Sequence, residues 1–185
     1  MLDSASWKSA LLDVLGSGWT FARVGPRRHE DWRRDVVAVM TLRAEDPRRW
    51  HGFDYAPEVG EDRSGIGAPF VRWPLDQLGA CLYEVRRASA EQMLVALQGE
   101  LYQASRIPDF DRRRDGLFRS ARQVLSRFGP RARYFTNASE ARGHPDACLL
   151  DADTAWECLS VFTTDCGLVA VSDTEVGVFW AFWED

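Results

Sequence analysis

Lysine is almost absent. Of 23 basic residues only Lys8 is a lysine, a bias that the codon composition of a GC-rich genome explains without invoking a function. Histidine is scarce too: His29, His51 and His144 all fall in predicted loops, where an exposed polar role is the default. No G-x-S-x-G segment exists, which excludes a nucleophile elbow. No Walker motif exists either, and the G-I-G of "GEDRSGIGAP" lacks the rest of a dinucleotide fingerprint. No run reaches the roughly 18 apolar residues of a membrane span, so no membrane partner is expected. The start, "MLDSASWKSALLDVLGSGW", has no basic flank beside an apolar run and does not read as a signal peptide. A cytoplasmic protein is expected, with Cys81, Cys148, Cys158 and Cys166 as reduced thiols. The spacing His144-x3-Cys148-x9-Cys158-x7-Cys166 lacks the close cysteine pair of structural zinc sites. Neither a metal nor another cofactor is expected.

What is present describes an ordinary globular chain with unusual rings and an uneven charge. Its 185 residues suit one domain, able to fold without staples. Eight tryptophans imply an aromatic core, an aromatic-lined groove, or both. Net charge is -5. Residues 106–133 hold nine arginines against three aspartates, while residues 134–185 hold Arg142 against ten acids. Either the basic and acidic faces pair or simply solvate, or the acidic C-terminal third steers a basic partner. The arginine-rich stretch, with Arg112, Arg113 and Arg114, would be the place for nucleic acid. The negative net charge and the interleaved aspartates argue against it.

Periodicity predicts an α+β domain, mainly an antiparallel sheet packed against about three helices. Trp7, Leu11 and Leu15 recur every four residues in a helix at 4–15, which Ser4 or Ser6 could cap. Ser89 with Gln92 resembles a capping box opening a helix at 90–104. Phe110, Leu117, Ala121, Val124 and Phe128 share one face of a helix at 110–128. Strands are expected at "WTFARV", "DVVAVMTLRA", "ACLYEVRRA", "RARYFTN", "AWECLSVFTT", "CGLVAVS" and "EVGVFWAFW". The first two would pair as a hairpin with a long tip. "PLDQLGACLYEV" also fits a helix, and Gly79 favours the strand. "CGLVAVS" and "EVGVFWAFW" are separated only by Asp173 and Thr174, so they form an antiparallel hairpin. Between about 44 and 79 lies a long irregular loop with four prolines and five glycines.

The closing run is apolar on both sides. Val176, Val178, Trp180 and Phe182 point one way, and Gly177, Phe179, Ala181 and Trp183 the other. Such a strand is covered on both faces or presents one to a partner. This ending, "TTDCGLVAVSDTEVGVFWAFWED", resembles the endings of small bacterial toxin-immunity proteins and related uncharacterised bacterial proteins, in which an aromatic hairpin finishes in acids. The resemblance implies a cytosolic, non-catalytic protein that neutralises a secreted toxin by direct binding. Its partner would be a basic protein, a cognate toxin. Aromatic anchors would supply contact energy and acids the steering. In the long loop the candidate contacts are Trp50, Phe53, Asp54, Tyr55, Glu58, Glu61, Asp62 and Trp73. In the C-terminal third they are Asp165, Asp173, Glu175, Glu184 and Asp185. The alternative is a small hydrolase or metal-dependent enzyme using His51 and the loop carboxylates.

Overall fold

The computed structural model describes residues 2–16, 18–50, 52, 69–71, 74–151 and 157–184. The chain opens with helix α1 (Ser4–Leu15), strand β1 (Trp19–Pro26) and helix α2 (Trp32–Met40). Helix α3 (Leu75–Cys81), strand β2 (Tyr83–Val85), helix α4 (Arg87–Ala96) and helix α5 (Phe110–Ser126) follow. Strands β3 (Arg133–Thr136), β4 (Thr164–Val171) and β5 (Glu175–Trp183) complete it. The five strands form one sheet in the order β1-β5-β4-β3-β2, antiparallel at every pairing. The fold is α+β, as the sequence predicts.

Each face of the sheet carries its own apolar layer. On one side Trp7, Leu11, Met93, Leu94, Val124 and Leu125, from α1, α4 and α5, pack on Ala22, Leu168, Ala170, Phe179 and Ala181. On the other, Val36, Val39, Leu78 and Phe70 pack on Phe21, Val178, Trp180 and Phe182. The double alternation of β5 is therefore that of a strand buried on both faces. β4 and β5 pair in register from Thr164–Trp183 to Val171–Val176. Gly167 faces Trp180 across that ladder, and a methyl group there would lie 2.2 Å from the indole. Only glycine lets this ring lie flat over the neighbouring strand.

Several local expectations are corrected. "DVVAVMTLRA" is not a strand, and β1 pairs with β5 instead of with it. Asp31 caps α2 by accepting from the Arg33 N–H at 3.1 Å, and Val36, Val39 and Met40 fall on one buried face. β-branched residues lose only a few tenths of a kcal/mol each in a helix, so burial of that face decides the outcome. The cap of α1 is Asp3: its carboxylate accepts from the Ser6 N–H, and the Ser6 hydroxyl accepts from the Asp3 N–H. Ser89 and Gln92 form no capping box. Ser89 donates to the Ala147 carbonyl and Gln92 accepts from the Leu149 N–H, so both hold the 145–149 segment against α4. That helix ends early, at Ala96, and Leu101 and Tyr102 beyond it take positive φ. Gly79 lies inside α3, where a methyl group would meet the Arg33 guanidinium at 2.6 Å. The strand predicted from Ala80 begins only at Tyr83. Of "AWECLSVFTT", residues 155 and 156 lie outside the described residues. From Glu157 the chain is irregular, with one bridge between Phe70 and Ser160.

Candidate functional site

The two ends of β5 meet opposite environments. At its start Glu175 is buried and takes two guanidinium groups. Arg127 reaches it at 2.8 and 3.3 Å, and Arg48 at 2.8 and 3.0 Å. Arg127, whose side chain is 0% exposed, also forks onto Asp46 at 2.6 and 2.9 Å. Its guanidinium lies 4.9 Å from the Trp7 ring and 4.8 Å from the Trp50 ring. Burial alone would lower the Arg127 pKa; the bonds from Asp46 and Glu175 outweigh it and raise it. The cluster ties the 46–50 segment and the end of α5 to the sheet.

Further along the neighbouring strand, Asp165 is fully buried, with no ion-pair partner among the described residues. It accepts from Trp180 Nε1 (2.8 Å), the Leu159 N–H (3.1 Å), the Ser160 N–H (2.7 Å), the Ser160 hydroxyl (2.6 Å) and Asn137 Nδ2 (3.3 Å). Burial pushes its carboxyl above the usual carboxylate range, and the donors from Ser160, Trp180 and Leu159 pull it back. These bonds fasten the 157–163 segment over the sheet. Asn137 extends the lock by accepting from the Gly167 N–H at 3.0 Å.

The far end of β5 is different. Trp19 opens β1 opposite Phe182, while Trp183 lies on the other face of the sheet. Both indoles are only half-buried. With Gly18, Phe182 and Glu184 they line a groove of about 340 Å³. Phe162 packs on Trp19 at 5.5 Å and on Phe182 at 5.2 Å. Next to it Val161 is 36% exposed, so apolar surface continues past the groove. Glu184 is the exposed carboxylate at the rim.

Among the residues predicted for partner contact, the described ones separate into inside and outside. Asp165 and Glu175 are inside, with their oxygens committed to internal donors, so they present no carboxylate to a partner. Trp50 is half-buried against Trp7 at 5.6 Å. Asp173 is exposed but lies 2.5 Å from Arg131. Glu184 is the one that reaches an aromatic groove. Phe53, Asp54, Tyr55, Glu58, Glu61, Asp62, Trp73 and Asp185 lie outside the described residues, as does His51 of the hydrolase alternative. The sequence reading missed Trp19 and Trp183 as a pair. The signal was a tryptophan opening β1 and another closing β5, but their adjacency depends on the pairing of Trp19 with Phe182, at opposite ends of the chain.

The arginine-rich segment is met mostly by acids outside the C-terminal third, such as Glu91, Glu100 and Asp109, while Arg127 and Arg131 reach into it. Arg127 meets Glu175, Arg131 meets Asp173, and Arg133 meets Glu84 at 2.7 Å. In the arginine-rich helix Arg112 pairs with Asp109, and Arg113 bonds Gln98. The cysteines are free thiols. Cys166 is buried 3.6 Å from Met93 Sδ, and Cys148 is exposed. Among the described residues no cluster of three metal-ligating side chains forms, and no helix is long and apolar enough to cross a membrane. Comparison with protein-family models, curated proteins and solved structures returns no match.

Proposed function

We propose that this protein acts by binding another protein, and that its contact surface is the aromatic end of the sheet. The observation that carries the reading is the groove between Trp19 and Trp183, floored by Phe182 and rimmed by Glu184. Half-buried indoles around a small groove are the kind of group that dominates interface energy. Their polar N–H edges let them tolerate water before the partner arrives. Among the described residues, no nucleophile or paired carboxylate lines the groove.

The finer reading rests on the likeness of the C-terminal hairpin to bacterial toxin-immunity proteins. On that reading the protein is a cytosolic inhibitor, and its partner is a basic toxin. The net charge of -5 and the exposed Glu184 support a basic partner. Such a partner would associate faster at low salt than at high salt.

Affinity capture with quantitative mass spectrometry tests the reading. Wild-type protein should retain a basic protein in stoichiometric amount. Trp183→Ala should lose it, and Arg34→Ala, at a distant surface, should keep it. Equal retention by wild type and Trp183→Ala would refute the placement of the surface.

A further inference from the structure

A larger concavity lies away from the aromatic end. It lies beyond the other terminus of β1, where residues 28–34 lead into α2 and face α3 and β3. Its volume is about 830 Å³, within the range of small-molecule sites. Arg28, His29, Glu30, Trp32, Arg34 and Phe135 are among the residues lining it.

The charges at this cleft are not equivalent. Arg33 is neutralised by Asp31, with Nε at 2.8 Å and Nη2 at 3.0 Å from the two carboxylate oxygens. Arg27 is directed at Asp35, 3.3 Å away. Arg28 and Arg34 are exposed, and neither has an ion-pair partner among the described residues. They are cations left for a ligand. His29 is held from behind: its Nδ1 lies 2.6 Å from Asp35 Oδ1, while its backbone N–H donates to Asp35 Oδ2 at 3.1 Å. Asp35 is buried and receives Arg27 as well, so its position is fixed. A carboxylate on Nδ1 orients the ring and leaves Nε2 as the outward atom, which donates when the ring carries both protons. The N–H groups at the start of α2 are not counted here, because Asp31 already caps that turn.

The walls are partly apolar. Trp32 stacks on Phe135 with ring centroids 4.2 Å apart at 22°, and Leu82 and Gly79 continue that side. A bare inorganic anion would leave most of the volume and this ring surface unused.

We propose that this cleft binds an organic phosphomonoester. Arg28, Arg34 and His29 take the phosphate oxygens, and the organic part rests on the Trp32 side. Arginine suits this role because its planar fork matches phosphate oxygens. Glu30, exposed on the same rim, opposes the anion and limits its affinity. This inference is independent of the protein-binding surface, which lies at the other terminus of β1.

Adenosine monophosphate and inorganic phosphate are suitable probes, titrated by calorimetry into the whole protein at constant ionic strength. Adenosine monophosphate should bind saturably and several-fold more tightly than inorganic phosphate. The double variant Arg28→Ala/Arg34→Ala should weaken it at least tenfold, and Glu30→Gln should tighten it. The arginines are on the surface, so the double variant should melt with the wild type, which separates site loss from unfolding. No saturation by adenosine monophosphate up to about 10 mM would overturn the proposal, as would unchanged affinity in the double variant. Equal affinity for the two probes would overturn the role given to Trp32.

Discussion

β5 begins at a carboxylate sealed among arginines and ends at an indole left half in water. At the first end Glu175, Arg127, Asp46 and Arg48 satisfy one another, and Trp7 and Trp50 close over the charge. At the second, Trp19 and Trp183 flank a groove, with one unburied acid beside them. The same strand thus separates two uses of the same residue types. Charges at one end are internal fastenings, and their removal should be felt as instability. Rings at the other end pack on one another but keep part of their surface in water, and removal of the half-buried Trp183 should be felt mainly in binding.

The largest effect should come from the sealed end. Arg127→Ala leaves Asp46 and Glu175 partly buried without their principal cation. Breaking a buried pair in this way costs about 3–5 kcal/mol. Urea denaturation should show that loss, or a chain that no longer folds. Asp165→Ala strands the Trp180, Leu159 and Ser160 donors, each worth about 1–3 kcal/mol when left buried and unsatisfied. It should come close to the loss at Arg127, and a loss below about 1 kcal/mol would show that water replaces the carboxylate.

A smaller effect is expected from Gly167→Ala, which drives a methyl group into the Trp180 indole. Overpacking of this kind costs about 1–3 kcal/mol, with a red shift or quenching of tryptophan emission as the indole moves. In alkali the interior gives a further test. Burial raises the Cys166 thiol and the Tyr102 phenol above their ordinary values of 9.0 and 10.0. Below pH 9 both are protonated in the native and unfolded chains, so these groups leave stability unchanged there. Above it the unfolded chain releases protons that the native one keeps. Stability should then fall by about 1.4 kcal/mol per pH unit for each group past its ordinary value. Cys166→Ala should shrink the lower of the two breaks, to which the raised thiols of Cys81 and Cys158 also contribute. The smallest change in stability should follow Trp183→Ala, about 1 kcal/mol or less given its partial exposure, although partner affinity should fall by about 2 kcal/mol or more.

The elements legible in the sequence were those whose signal is local. The alternation in β4 and β5 and the stripe of α5 needed only a window of ten to twenty residues. The helix at Trp32–Met40 was hidden because three valines favour extended chain locally, and only the packing of Val36 and Val39 under the sheet overrides that preference. Ser89 and Gln92 spelled a cap, yet their partners are carbonyl and amide groups near residue 147. The candidate site was less readable for the same reason. Glu175 follows a turn and resembles a surface acid, but its cation is 48 positions away. Asp165 resembles another, but its donors belong to a segment folded back over the strand and to Trp180. Charge patterning was legible only in part: Arg127–Glu175 and Arg131–Asp173 join the arginine-rich and acidic segments, while Arg106, Arg112, Arg122 and Arg133 pair with acids elsewhere.

Amide hydrogen exchange on the complex with its captured partner tests the central claim most directly. The account predicts new protection at residues 18–20, 160–163 and 181–184, with none at 45–50 or 126–128. Protection confined to the Arg127 end, or to the Arg28–Arg34 cleft, would contradict it.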